Sequence, residues 1–471
     1  MEIAIILAAG EGTRMKSAKA KVLHEIAGRS LIGHVLGAVK EIEPLTTAIV
    51  VGSGIEEVSS HIQATLPSAE LIHQKERNGT GHATRMALSQ IAGGNGGSVI
   101  VLAGDTPLLT GLTLKNLVKV HKESKARVTI LTAELSDPFG YGRIVRGVNG
   151  EVMRIVEEKD CSDFERSLTE VNSGVYIFEV EDLSTALRKI STNNSQGEEY
   201  LTDVIQILKD ENKFVNAYIT EDYSEIFGVN DRIQLAECAA LMRDRINYQW
   251  MKSGVSIIDP MTTWIDLGVE IAPDVTLLPA TSLYGKTIIE TGSVIGPRTT
   301  LIDCSVGQSA QIIESHCQSS VIGYRAKVGP YSYLRAGTEL ATDVKVGAYV
   351  EIKNSTIGSA SKVPHLSYIG DAQIGEGTNI GAATVVVNYD GVEKHRTEIG
   401  DHVRIGSDTM LIAPVSVGDG AYTAAGSVIT EDVPAGAMGV GRSRQRNILD
   451  WVLRKRSGTK SAEVAKKKQK S

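Results

Sequence analysis

Aliphatic residues recur at every sixth position through much of the second half of the chain. One run without a gap consists of Ile322, Val328, Leu334, Leu340, Val346 and Ile352. The spacing resumes three times, in the sets Ile357, Val363, Ile369, then Ile374, Ile380, Val386, and then Ile399, Ile405, Leu411, Val417. A period of six matches neither an amphipathic helix nor a half-buried strand. It is typical of a parallel β-helix, in which each hexad forms one short strand and one turn, and it predicts such a domain around residues 289–428.

Glycine directly follows many of these aliphatic residues, as in Ile322-Gly323 and Val346-Gly347. We expect the aliphatic side chain to point into the coil and the next residue to lie in a tight turn, where a missing Cβ is an advantage. Because each coil buries its apolar edge only against adjacent coils, several consecutive turns are needed for stability.

The first half of the chain has the pattern of an α/β protein. Continuous apolar segments, which predict buried strands, alternate with helical segments and lie at residues 3–9, 47–52, 99–103, 128–133 and 175–178. We therefore predict a doubly wound, Rossmann-like α/β domain over residues 1–230.

The remaining boundaries follow from periodicity and composition. Residues 231–253 repeat apolar positions at helical spacing without proline or glycine, which predicts a linker helix. The β-helix domain then covers residues 254–445, and residues 446–471 form a C-terminal helix or a disordered basic tail. Disorder is expected from residue 454 onward, because that segment is rich in Lys and Arg and poor in apolar residues.

Composition and charge exclude several functions. The net charge of −7 over 471 residues gives no sign of a nucleic-acid partner. The four cysteines show no metal-binding spacing, which indicates a reducing cytosol and ordinary buried thiols. No segment supplies the roughly 20 apolar residues that would span a membrane, and the N-terminus lacks an export signal. We expect a soluble cytoplasmic protein.

A glycine-rich turn with a basic residue follows the first predicted strand. Gly10 and Gly12 precede Arg14, and backbone N–H groups in such a turn form a cradle for phosphate. Asp105 follows the strand at residues 99–103, at the sheet edge where α/β proteins bind ligands, and is a candidate Mg²⁺ ligand. The sequence alone leaves open that Asp105 only caps the turn before Pro107.

Polar segments interrupt the hexads of the second half. His365 lies beside one coil, and an imidazole with a pKa near 6.5 suits removal of a proton from an amine. Glu351 and Lys353 flank a core aliphatic residue, so both should point outward, and Glu351 is expected to orient the imidazole. The period breaks between residues 388 and 399, which predicts a loop that leaves the coil.

Several short motifs resemble those of sugar-1-phosphate nucleotidyltransferases. In chain order they are LAAGEGTRM at residues 7–15, Lys21, GTGHA at 79–83, Gly104-Asp105, YGR at 141–143, EEK at 157–159, NSG at 172–174 and GVN at 228–230. The hexads resemble those of acyltransferases with a left-handed β-helix. Together the two halves resemble the bifunctional GlmU family over nearly the full length.

The resemblance implies roles for residues of the first half. Arg14 and Lys21 would be catalytic, since they neutralise the reacting phosphates. The nucleotide would be bound by Leu7, Ala8, Ala9, Gly10, Gly12, Arg14, Lys21, Gln74, Gly79 and Thr80. The sugar phosphate would be bound by Gly142, Glu157, Asn172 and Asn230. Mg²⁺ would be held by Asp105 and Asn230.

The resemblance also implies a second site on the β-helix. His365 would be the catalytic base, supported by Glu351. The amino-sugar phosphate would be bound by Arg335, Lys353, Tyr368, Asn379, Asn388 and Tyr389. Acetyl-CoA would be bound by Ala382, Ser407, Ala425 and Arg442. Members of the family are homotrimers through the β-helix, so a homotrimer is expected.

The function implied is synthesis of UDP-N-acetylglucosamine in two steps. Acetyl-CoA acetylates glucosamine-1-phosphate, and UTP then uridylylates N-acetylglucosamine-1-phosphate with release of pyrophosphate, which supplies peptidoglycan and lipopolysaccharide precursors. One alternative is a single-function sugar-1-phosphate nucleotidyltransferase with a structural β-helix. Another is a non-enzymatic β-helical scaffold with an inert first domain.

Overall fold

The structure, a computed structural model, describes residues 1–52, 55–76, 78–91 and 96–469. Its contacts divide the chain into a first unit, Met1–Ile271 with Pro279–Thr287, and a second unit, Ala272–Leu278 with Ile288–Ser471. The helix predicted at residues 231–253 groups with the first unit.

The strands and helices of the first half alternate as predicted. The strands are β1 (Ile3–Ala8), β2 (Glu25–Ile26), β3 (Arg29–Ser30), β4 (Thr46–Val51), β5 (Glu70–His73), β6 (Ser98–Ala103), β7 (Val128–Glu134), β8 (Arg143–Arg146), β9 (Val152–Val156), β10 (Glu170–Glu179) and β11 (Val215–Ile219). The helices are α1 (Leu31–Lys40), α2 (Ile55–Thr65), α3 (Thr80–Gln90), α4 (Gly111–Ser124), α5 (Asp163–Arg166), α6 (Val180–Leu187), α7 (Asp203–Asp210) and α8 (Arg232–Lys252).

Nine of these strands form one sheet with a hydrophobic core on each face, and β2 and β3 pair only with each other. The order of the main sheet is β11-β7-β10-β6-β1-β4-β5, with β8 paired to β10 and β9 paired to β8. In β1, Ile3 and Ile5 pack in one core and Ala4 and Ile6 in the other, which explains why the strand is apolar at consecutive positions. The doubly wound α/β prediction is confirmed. Strand β10 runs antiparallel to β6 and β7, so the sheet is mixed.

The rest of the chain is built from short strands. They are β12 (Ser256–Ile257), β13 (Trp264–Ile265), β14 (Glu270–Ile271), β15 (Thr276–Leu277), β16 (Ser282–Tyr284), β17 (Ile288–Ile289), β18 (Val294–Ile295), β19 (Thr300–Ile302), β20 (Ser305–Val306), β21 (Gln311–Ile312), β22 (His316–Gln318), β23 (Val321–Ile322), β24 (Lys327–Val328), β25 (Tyr333–Leu334), β26 (Glu339–Leu340), β27 (Lys345–Ala348), β28 (Glu351–Lys353), β29 (Thr356–Ile357), β30 (Lys362–His365), β31 (Tyr368–Gly370), β32 (Ala372–Ile374), β33 (Asn379–Ile380), β34 (Val385–Val387), β35 (Thr397–Ile399), β36 (Arg404–Ile405), β37 (Met410–Ile412), β38 (Val415–Val417), β39 (Tyr422–Thr423), β40 (Val428–Ile429) and β41 (Met438–Gly439).

In the second unit these strands form three parallel sheets. Each strand pairs with the strand that comes three positions later in the chain, as in β24-β27-β30, β25-β28-β31 and β26-β29-β32. The aliphatic residue of each hexad stacks on its counterpart one coil away, as Leu334 does on Ile352 and Ile352 on Ile369. All three are fully buried. The predicted parallel β-helix is confirmed.

Glycines next to the aliphatic residues allow the coils to approach each other. A Cβ placed on Gly347 would lie 2.0 Å from the carbonyl oxygen of Pro364 in the next coil. The backbone of Gly347 does not have the positive φ that favours glycine. Close approach of adjacent coils, rather than an unusual turn conformation, therefore selects glycine here.

The tail differs from the sequence prediction. Helix α9 (Trp451–Lys455) overlaps the start of the segment expected to be disordered from residue 454 onward, and helix α10 (Lys460–Lys468) lies within that segment. The Thr459 side chain caps α10 by accepting a hydrogen bond from Ala462 N, and Ala462 is buried. Composition did not reveal this local cap, so the prediction of disorder was wrong for these helical residues.

Candidate active sites

A cavity of about 520 Å³ lies where β1 and β6 end in the first unit. Its lining includes eight predicted nucleotide-binding residues, two predicted sugar-binding residues and one predicted metal ligand, which are Leu7, Ala8, Ala9, Gly10, Lys21, Gln74, Gly79 and Thr80, then Glu157 and Asn172, and then Asp105. Arg14 lies exposed in the short 3-10 helix Thr13–Met15 and does not line this cavity. The glycine turn and Asp105 therefore meet at one edge of the sheet.

Lys21 joins residues that are far apart in the sequence. Its ammonium pairs with the Asp105 carboxylate, and its Nζ lies 3.3 Å from Oδ1 of Asn230. A Cβ on Gly12, which has a φ of +64°, would lie 2.6 Å from the Cβ of Lys21. Oxygen atoms of Asp105 and Asn230 therefore both contact the Lys21 ammonium next to the glycine turn. Asp105 thus forms an ion pair and does not only cap the turn.

The cavity is also lined by the half-buried carboxylate of Glu157. Glu157 accepts a hydrogen bond from the Thr202 hydroxyl at 3.1 Å, and burial raises the pKa of Glu157. Asn172 donates to the Tyr176 hydroxyl at 2.6 Å, and its backbone N–H donates to Gly142 O at 2.8 Å. Three of the predicted sugar residues, Gly142, Glu157 and Asn172, therefore lie together, whereas Asn230 contacts Lys21. Gly142 and Asn230 do not line the cavity itself.

Sequence reasoning missed Thr202 and Tyr176. Both line the same cavity, and each contacts a predicted site residue. Thr202 is 45 residues from Glu157 in the chain, so no local motif connects the two. The periodicity of β10 places Tyr176 on a sheet face but does not reveal its partner.

The predicted base-reading residues are held by neighbouring loops. Gln74 is buried, and its amide lies 3.0 Å from Nδ1 of His82 and 3.3 Å from Gly79 O. The Thr80 hydroxyl accepts a hydrogen bond from Leu201 N at 3.1 Å. His82 therefore helps to fix the Gln74 side chain.

The second candidate site lies on the outer surface of the β-helix. His365 ends β30 and is exposed. Arg335 lies 2.9 Å from Glu351, and this carboxylate belongs to β28 in a different sheet from His365. Among the described residues Glu351 makes no hydrogen bond to His365, and one of its carboxylate oxygens instead accepts from Arg335.

Polar groups around the predicted loop contact the outward side of β28 and β31. Asn388 is buried and hydrogen-bonds Asp371, while Tyr389 is exposed and donates to Gly391 O at 2.7 Å. The nearby ammonium of Lys353 lowers the pKa of Lys394 on the same loop. The region thus concentrates positive charge beside hydrogen-bonding groups.

The predicted acetyl-CoA residues lie on successive coils of the second unit. Asp408 N donates to Ala382 O at 2.7 Å, and Gly426 N donates to Ser407 O at 2.8 Å. Ala425 precedes Gly426, and a Cβ on Gly426 would lie 3.9 Å from Cδ of Arg442. Asn379 begins β33, which pairs with the strand that carries His365. Small residues therefore form a column beside the predicted base.

Comparisons with known proteins cover both units. The nucleotidyl transferase family matches residues 3–270, and the bacterial transferase hexapeptide family matches residues 396–431. The bifunctional protein GlmU of Streptomyces avermitilis is 52% identical over 98% of this chain and 97% of its own length. The GlmU proteins of Streptomyces coelicolor, at 52% identity, and Mycobacterium bovis, at 48%, also cover 98% of this chain and 96% and 94% of their own lengths.

The chain belongs to the GlmU family. It is a bifunctional transferase with uridylyltransferase and glucosamine-1-phosphate acetyltransferase activities, and the hexapeptide β-helix matches acetyl transfer. Similarity to bifunctional GlmU proteins across both units decides against the single-function and scaffold alternatives.

Three further observations bear on the other predictions. All four cysteines are free and buried. Within residues 1–52, 55–76, 78–91 and 96–469, no helix is long and apolar enough to cross a membrane. The same residues contain no group of three or more His, Cys, Asp or Glu side chains arranged to bind a metal. One carboxylate and one amide oxygen, as at Asp105 and Asn230, still match Mg²⁺, which takes most of its ligands from water and substrate phosphates.

Proposed function

We propose that the cavity of the first unit performs uridylyl transfer. The observation that carries this proposal is the convergence of Lys21, Asp105 and Asn230 beside the glycine turn. Backbone N–H groups of Gly10 and Gly12 bind the UTP phosphates, and Arg14 and Lys21 neutralise their charge. A phosphate oxygen of N-acetylglucosamine-1-phosphate attacks the α-phosphorus of UTP, and pyrophosphate leaves. No protein nucleophile is needed, because the protein acts by positioning and charge neutralisation.

The other residues of this cavity bind the two ends of the reacting pair. Gln74, Gly79 and Thr80 contact the uracil and nearby nucleotide atoms, and Gly142, Glu157 and Asn172 hold the sugar. Asp105 and Asn230 would hold Mg²⁺. When bound, Mg²⁺ neutralises phosphate charge as the two anions approach each other.

We propose that the surface around His365 performs acetyl transfer. His365 accepts a proton from the amino group of glucosamine-1-phosphate, the nitrogen attacks the acetyl-CoA thioester carbon, and the thiolate leaves. Arg335 and Lys353 meet the phosphate charge. Tyr368, Asn379, Asn388 and Tyr389 bind the rest of the amino sugar. Ala382, Ser407, Ala425 and Arg442 line the acetyl-CoA groove.

We also propose a homotrimer formed through the β-helix. Tyr331 and Tyr349 stack with ring centroids 5.3 Å apart at one corner, and Leu366 follows on the next coil. These side chains are 53%, 62% and 61% exposed. An apolar ladder next to His365 is the kind of surface that a second chain covers. We place the reaction in the cytoplasm, which agrees with the free cysteines.

Thiol release from acetyl-CoA in the presence of glucosamine-1-phosphate tests the assignment of the base. His365→Ala should slow thiol release about 100-fold or more, since loss of a positioned base typically costs this much. His402→Ala is the matched control, because His402 is an exposed β-helix histidine outside the proposed site. Equal rates for the His365→Ala variant and the wild type would remove His365 from the mechanism.

A further inference from the structure

Three polar side chains form a hydrogen-bonded row along the β-helix. Asn354 Nδ2 donates to Asp371 Oδ1 at 2.5 Å, and Asn388 Nδ2 donates to Asp371 Oδ2. Consecutive members are 17 residues apart, so each lies one coil from the next. Asp371 is the middle member, and neither it nor Asn354 has a role in the proposed chemistry so far.

Asp371 accepts hydrogen bonds with both carboxylate oxygens. Burial raises its pKa, but hydrogen bonds from Asn354 and Asn388 and the charges of Lys353 and Lys394 outweigh burial and hold the pKa below its usual value. An ionised carboxylate can only accept hydrogen bonds. The NH₂ group of Asn388 must therefore face Asp371, and the carbonyl oxygen of Asn388 faces the other way.

Gly370, directly before Asp371, lies against the side chains of Tyr368 and Asn388. A Cβ on Gly370 would lie 2.5 Å from the Tyr368 hydroxyl and 2.8 Å from Nδ2 of Asn388. Gly370 does not have a positive φ, so space rather than backbone conformation selects glycine here. Gly370 therefore leaves space for the side chains of Tyr368 and Asn388, and Asp371 holds Asn388 by a hydrogen bond.

We infer that Asp371 is a positioning residue that makes Asn388 present its carbonyl oxygen to a hydrogen-bond donor of the amino sugar. This inference rests on the proposed acetyltransferase site. It specifies that the oxygen, and not the nitrogen, of the Asn388 amide contacts the amino sugar. An oxygen at this point accepts a hydrogen bond from the amine or a hydroxyl. Without Asp371, the Asn388 amide could also turn its NH₂ group toward the substrate or toward the phosphate of the amino sugar, which would weaken productive binding.

Steady-state kinetics of Asp371→Asn test the inference. Asparagine keeps the shape and tolerates the positive φ of 52° at this position, but it offers an NH₂ group to one of its two donor partners. We expect the KM for glucosamine-1-phosphate to rise about tenfold, the scale of one lost hydrogen bond. The KM for acetyl-CoA and the uridylyl half-reaction should not change. Asp343→Asn is the control, since Asp343 also has a positive φ but pairs with Arg325.

A reciprocal exchange separates positioning from structural support. Asn388→Asp alone places two carboxylates together and should raise the KM further. The double variant Asp371→Asn with Asn388→Asp restores a donor facing an acceptor and should recover most of the loss. A double variant as impaired as the singles, or an unchanged KM in Asp371→Asn, overturns the inference. An unchanged KM in Asn388→Ala would instead overturn the proposed site and the inference with it.

Discussion

Lys21 occupies the position where a metal ion is proposed to bind. Its ammonium contacts the Asp105 carboxylate, and both side chains are mostly buried. A cation that binds Asp105 and Asn230 must displace this ammonium, so the two compete for the same oxygens. Lys21→Met should therefore bind Mn²⁺ several-fold more tightly than the wild type in the absence of substrate, as measured by electron paramagnetic resonance of free Mn²⁺.

The Asp105→Asn variant is the reference for that measurement. It should bind Mn²⁺ more weakly than the wild type, because the only carboxylate assigned to the metal is lost. Unchanged binding in Asp105→Asn would place the metal elsewhere. Weaker binding in Lys21→Met would show that the ammonium does not compete.

Glu157, the proposed sugar ligand, also affects the pH dependence of stability. Burial raises its pKa above the ordinary value of 4.5. The folded state then holds this proton more tightly than the unfolded state, so the contribution of Glu157 to stability falls as pH rises from the ordinary pKa to the raised pKa. Glu157→Gln removes this dependence. Its melting temperature relative to the wild type should rise as the pH increases above 4.5, while its KM for N-acetylglucosamine-1-phosphate increases. A pH-independent difference in melting temperature would contradict this assignment.

The sequence predicted residues of both proposed sites but not the side chains that those residues contact. The glycine turn, Asp105 and His365 were predictable because motif and position along the strands define them. The Arg335–Glu351 pair was not predicted. Glu351 and His365 lie in different sheets of the β-helix, and the hexad pattern does not show toward which neighbour the Glu351 side chain points. The row Asn354–Asp371–Asn388 did leave a signal, since its 17-residue spacing is about three hexads.

At the scale of elements, the spacing of adjacent coils limits which residues the turns accept. Gly347→Ala would bring a Cβ within 2.0 Å of Pro364 O, directly before His365. We expect a loss of about 1–3 kcal/mol of β-helix stability, as in other overpacked cores, and a loss of acetyl transfer. Thermal unfolding and thiol release measure these effects.

Gly436→Ala provides the comparison. Gly436 has a φ of +69° but open space around its Cα, so alanine there costs only backbone strain of about 1 kcal/mol. If Gly436→Ala were the more damaging variant, backbone conformation rather than coil spacing would determine these glycines.

Elements were more predictable than residues. The hexad spacing placed the β-helix strands because stacking one coil on the next repeats the same burial at every sixth position. The strands of the first half were predictable because both faces of their sheet are covered. The antiparallel β10 and the helices of the tail depend on pairing and capping partners that composition does not reveal.

At the scale of the whole molecule, the proposed acetyl site lies open on the surface of one chain. If neighbouring chains complete it, acetyl transfer per chain should fall when the protein is diluted below its assembly constant, whereas uridylyl transfer should persist. Light scattering should give three chains of 50.4 kDa, or about 151 kDa, at high concentration. A monomer with full acetyl transfer would contradict the proposed assembly.

We propose that one chain performs its two successive reactions at two separate sites. An assay with glucosamine-1-phosphate, acetyl-CoA and UTP supplied together, in which all products are followed by mass spectrometry, tests this proposal. The wild type should form UDP-N-acetylglucosamine. Asp105→Asn should stop at N-acetylglucosamine-1-phosphate, and His365→Ala should form no UDP-sugar until N-acetylglucosamine-1-phosphate is added. Loss of both half-reactions in either correctly folded variant would contradict two independent sites.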